Sequence, residues 1–74
     1  MKDFQKRLII EHQELNEKIG KLYDFLQSKS FMNLSEEEQT LLDVQYNAMR
    51  TYGFVLAERL KIYLNSGEIT IDDL

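Results

Sequence analysis

From Leu8 the apolar side of the chain steps 4-3-4-3-4 through His12, Leu15, Ile19, Leu22 and Leu26, with Phe4 one turn earlier. That spacing predicts a helix from about Asp3 to about Gln27, with Asp3 as its N-cap. A second run steps by sevens, Leu42, Met49, Leu56 and Tyr63, and predicts a helix over about 35–64. Its start is marked by Ser35-Glu36-Glu37-Glu38, a capping box whose three acids also suit the positive end of the helix dipole. Its end is marked by Asn65-Ser66-Gly67. Between the helices, residues 28–34 break the period and read as a loop, with Phe31 and Met32 folded back over the tip. Residues 67–74 alternate only weakly and read as an irregular, partly ordered arm.

The expected fold is all-α: an antiparallel two-helix hairpin over residues 1–66, followed by the arm. Two helices in 74 residues, with no cysteine to staple them, bury too little surface to stand comfortably alone. Helix 2 carries a further apolar row, Leu41, Ala48, Val55 and Ile62, beside the first. One row can face helix 1, and the other needs a second partner. A helical-bundle homo-oligomer is the simplest closure, with this row as its interface.

Composition narrows the function classes. Hydrophobic residues at 43% and charged residues at 30% fit a folded domain rather than a disordered chain. The absence of cysteine removes disulfides, zinc knuckles and thiol nucleophiles. No apolar run approaches the ~20 residues of a membrane span, and MKDFQKRLII lacks the features of a signal peptide. The expected setting is the cytoplasm, without membrane contact.

The net charge of −4 argues against general DNA or RNA binding, yet it conceals a polarity. Residues 1–10 and 50–64 each carry a net +2, whereas residues 11–49 carry −5. In an antiparallel pair the two basic segments meet at the open end. There Lys2, Lys6, Arg7, Arg50, Arg59 and Lys61 would surround Phe4, Tyr52, Phe54 and Tyr63. Guanidinium groups fork onto phosphate and aromatic rings stack on bases, so the arrangement suits a nucleotide. The same residues would serve equally as seam positions and cross-subunit ion pairs in a plain bundle. Gln45, Tyr52 and Arg59 share a stripe at seven-residue spacing, where register control is the ordinary role of polar groups. Gly53 and Ala57 keep the adjacent surface thin.

Catalytic chemistry is not indicated. His12, the single histidine, sits on the helix 1 seam and reads as an interfacial residue satisfied by a carboxylate. No phosphate loop, dinucleotide fingerprint or calcium loop is present, so neither enzyme activity, a cofactor nor a metal is expected.

The residues that carry a resemblance are Asp3, Phe4, Gln5 and Arg7, then Glu14-Leu15, Lys18-Ile19 and Leu22 through Phe25. In helix 2 they are Leu34, Glu38, Leu42, Gln45, Met49, Tyr52, Val55-Leu56 and Arg59-Leu60. Over roughly residues 3–62 the chain resembles very short helical-hairpin proteins of tailed bacteriophages and prophages. It departs from them in lacking a glycine near Ala57 and in extending beyond Tyr63. That group is similar in size and architecture to phage sponges, oligomers that bind cyclic-nucleotide signals of CBASS or Thoeris immunity without cleaving them. The resemblance implies an anti-defence protein of the host bacterial cytoplasm whose partner is a cyclic di- or trinucleotide. In side-chain chemistry, Arg7, Arg59 and Lys61 suit the phosphates, Tyr52 suits base stacking, and Gln5 or Gln45 suits a base edge. The competing readings are an anti-CRISPR-like inhibitor that presents Glu36–Glu38 and Asp43 as a nucleic-acid mimic, and a structural phage accessory protein.

Overall fold

The computed structural model describes residues 1–74 and is all-helical, without a strand. Helix α1 spans Asp3–Leu26, the single turn α2 spans Lys29–Met32, and α3 spans Glu36–Ser66. A 3-10 turn, Ile71–Asp73, closes the chain. At ~1.5 Å per residue α3 alone nearly accounts for the 48 Å long axis, and the other two dimensions are 17 Å.

Contacts between α1 and α3 run in reverse order along the two helices. Phe4 meets Tyr63 edge to face at 5.7 Å, and Tyr23 packs on Tyr46 at 6.1 Å. The buried core is Leu8, Ile9 and Leu15 of α1 with Leu56, Leu60 and, beyond the helix, Ile69. Ile19, Met49, Tyr63 and Leu64 flank it. Gly53 is buried in the contact between the helices, where a Cβ would lie 3.3 Å from Ile19 Cδ1. The first apolar row of α3 is therefore turned toward α1, as its period predicts.

Local chemistry sets the element ends. Lys2 rather than Asp3 is the N-cap of α1, and its N–H donates to Gln5 Oε1 at 3.0 Å. Ser35 caps α3 as expected, its Oγ accepting from the Glu38 N–H. The segment expected to be a loop contains α2, because Ser28 Oγ accepts from the Phe31 N–H and starts a turn. Gln39 Nε2 lies within 3.2 Å of the carbonyls of Phe31, Met32 and Leu34, and so closes that turn from α3. Phe31 folds back onto Phe25, but Met32 stays 74% exposed.

The C-terminal arm departs most from expectation. Gly67 adopts a left-handed φ of 79°, which turns the chain back at the end of α3. Ile69 then enters the core at 1% exposure, and its N–H donates to the Tyr63 carbonyl. Gln13 Nε2 donates to the Leu74 carbonyl at 2.9 Å, and Asp73 Oδ2 accepts from the Thr70 N–H. The arm is thus an ordered clasp over α1.

Gly20 tests the helix reading at an open position. It lies inside α1, and a Cβ built there would meet nothing within 4 Å. Gly20→Ala is expected to raise unfolding stability by about 0.5–1 kcal/mol, read as a higher urea midpoint at constant slope. No change, or a loss, would mean that this turn of α1 is not helical in solution.

Candidate ligand-binding face

Residues three and four apart on a helix share a side, so the second row of α3 merges with the polar stripe beside it. Leu41, Gln45, Ala48, Tyr52, Val55, Arg59 and Ile62 form one 4-3-4-3-4-3 repeat along the flank of α3, beside its seam with α1. All seven are exposed, with Leu41 at 61%, Tyr52 at 46%, Val55 at 47% and Ile62 at 62%. The expected apolar interface, Leu41, Ala48, Val55 and Ile62, alternates with three of the six expected ligand residues, Gln45, Tyr52 and Arg59, along a single surface.

Tyr52 is the fixed point of this face. Its hydroxyl donates to Glu11 Oε2 of α1, which ties the ring to the helix pair. That hydrogen bond raises the phenol pKa above its ordinary value. Burial and the Glu11 charge push the same way, while the Arg59 guanidinium lowers it. The phenol therefore stays a protonated donor at neutral pH, held between an acid and a cation. Arg7 lies one helical turn before Glu11 and so shares its side of α1. The Phe4–Tyr63 pair caps the nearby end of the seam.

The six cations expected at the open end do not converge. Arg59 and Lys61 are two residues apart on one helix and point to different sides. Lys61 Nζ instead pairs with Glu58 at 3.1 Å. The Arg50 guanidinium sits 5.8 Å from the Tyr46 ring centroid and lines a separate groove with Asn47, Thr51 and Phe54. Lys6 lines another, with Ile9, Ile10 and Asp73. What remains on one face is Arg7, Glu11, Tyr52 and Arg59.

Gln5 is also placed differently from the expectation. It is 1% exposed, its Oε1 accepts from Lys2, and its Nε2 donates to Glu68 Oε2 at 2.8 Å. Both ends of the amide are engaged, so Gln5 anchors the clasp and is not free to read a base edge. Gln45 is exposed, with only the Met49 sulfur near its Nε2, at 4.0 Å. His12 is half-buried, and its Nε2 lies 3.3 Å from Asn16 Nδ2. Its neighbour is an amide rather than the expected carboxylate.

Glu11 is the contributor that sequence reasoning missed. Glu11 lies 41 residues from Tyr52, so their meeting depends on the register between helices. No helix is long and apolar enough to cross a membrane. No group of three or more His, Cys, Asp or Glu converges as a metal cluster would require.

Comparison with known proteins adds two findings. The model of the Sequestin family matches residues 2–62. An uncharacterized 7.5 kDa protein from the denB-rIIB intergenic region of Enterobacteria phage T4 is 37% identical over 57 residues, covering 77% of this chain and 89% of the phage protein. No solved structure matches the chain. The family match ends at Ile62, before the clasp, and includes the whole of the Tyr52 face.

Proposed function

Because the chain belongs to the Sequestin family, we propose that it is a phage anti-defence protein that binds a cyclic-nucleotide immune signal and holds it without cleaving it. The single observation that carries the reading is the Glu11-anchored Tyr52 beside Arg59, on a face that stays exposed along α3. Arg59 and Arg7 supply forked, charge-assisted contacts to phosphate. Tyr52 supplies a stacking surface already fixed in place, which lowers the ordering cost of binding. Gln45 offers an amide to a base edge, and Glu11 an acceptor for ribose hydroxyl or base N–H groups. These are gripping groups, and the family's name is that of a sequestering protein.

Two helical pairs, joined through Leu41, Ala48, Val55 and Ile62 as a four-helix homo-oligomer, would enclose such a ligand between them. The direct test incubates the protein with a cyclic nucleotide, removes free ligand, denatures the complex and identifies what is released. The proposal expects intact cyclic nucleotide. A linearised product would show an enzyme, and an empty eluate across a panel of signals would remove the ligand reading.

Assembly has its own test. Val55 is 47% exposed, so Val55→Glu should spare the isolated fold while placing a charge in the subunit contact. Light scattering at micromolar concentration is expected to give a dimer or larger for the natural protein and a mass near 8.8 kDa for the variant. An assembled variant with an unchanged melting temperature would assign the contact to another surface.

A further inference from the structure

The Tyr52 face has the pattern of a second coiled-coil seam. Apolar Leu41, Val55 and Ile62 recur at heptad positions and stand 47–62% exposed, while the first seam is already filled by α1. The charge along α3 is graded as well. Glu37 and Glu38, one turn before Leu41, lie at one end of the stripe, and Arg59 lies near the other. Two copies packed in parallel would set Arg59 on Arg59 and Glu38 on Glu38, and would align the helix dipoles. Two copies packed antiparallel turn the acidic end of each stripe toward the Arg59 end of the other and oppose the dipoles.

We propose that this stripe is a self-docking surface on which a second copy of the chain binds antiparallel, related by a two-fold axis near Thr51 and Tyr52. The midpoint of the Leu41–Ile62 stripe falls between those residues. Such an axis sets Leu41 against Ile62 and Ala48 against Val55, in an isologous contact. It also brings Gln45 of one copy to Arg59 of the other and the two Tyr52 rings side by side. Each ligand site is then composite: the cation comes from one copy and the amide from the other. The ligand half of this inference rests on the nucleotide reading above, whereas the docking half stands on pattern and charge.

The cysteine-free chain makes the test simple. A disulfide needs Cβ atoms roughly 4 Å apart, so it reports which positions face each other. Leu41→Cys and Ile62→Cys are made in the full chain and oxidised separately and as an equal mixture. The expected result is a covalent mixed dimer that dominates the mixture, with little self-linked product from either variant alone. Efficient self-linking by each variant would show parallel packing and overturn the proposal. A dimeric mass with no cross-link in any tube would place the contact on another face and overturn it equally. A monomeric mass at micromolar concentration would overturn the docking surface itself. Calorimetric titration of the natural protein with cyclic nucleotides separates the two readings: binding by a monomer keeps the ligand proposal and removes this one, and a cross-linked dimer that binds nothing does the reverse.

Discussion

Replacing Ile69 with alanine is expected to lower the unfolding free energy by about 2–5 kcal/mol, the range for emptying a fully buried aliphatic site. Ile69 is 1% exposed and packs into the cluster of Leu8, Ile9, Leu15, Leu56 and Leu60, which has only six members. Its loss also loosens the clasp that carries the Glu68 acceptor for Gln5 and the Leu74 carbonyl bonded by Gln13. A domain of this size has a total stability of only several kcal/mol, so the variant should approach unfolding at 37 °C. Urea denaturation followed by circular dichroism reads the effect. A change below about 0.5 kcal/mol, typical of exposed sites, would mean the arm is detached in solution.

Arg59→Ala is expected to weaken cyclic-nucleotide binding by about 1.5–3 kcal/mol, or roughly 10- to 150-fold, through loss of a charge-assisted phosphate contact. Arg59 is exposed and belongs to no core cluster, so the fold should be unaffected. Tyr52→Ala should weaken binding by roughly tenfold or more through lost base stacking. Glu37→Ala, in the first turn of α3 and about 22 Å along the axis from Tyr52, should leave affinity unchanged at physiological salt. An acidic nucleic-acid mimic requires the opposite order, with the substitution at the α3 start decisive and those at Tyr52 and Arg59 silent. Calorimetry on the three variants, each checked by circular dichroism, separates the two.

Much of this architecture is written in short-range pattern. The 4-3 step of α1, the Ser35 cap and the Gly67 stop each act within a turn or two, so they are legible without tertiary information. The clasp was not, because Ile69 is one apolar residue in a polar tail, and its burial depends on Gly67 aiming it at a gap near Leu8 and Ile9. The α2 turn was hidden for a related reason, since its closure comes from Gln39 on the following helix. At the candidate site, the seven-residue stripe of Gln45, Tyr52 and Arg59 could be read directly. What a sum of charges over a segment hides is angular position: a basic segment of sequence is not a basic face. Lys61 and Arg50 lie near Arg59 in the chain, yet they pair with Glu58 and Tyr46 elsewhere on α3. Glu11 and the burial of Gln5 follow from helix register, which side-chain packing fixes.

The central claim is that this chain captures a cyclic nucleotide intact, and direct titration tests it most simply. Purified protein is titrated by calorimetry with a panel of cyclic di- and trinucleotides. The account predicts saturable, stoichiometric binding of at least one of them, with the ligand recovered unchanged afterwards. Absence of binding heat across the panel, from protein shown to be folded and assembled, would contradict it.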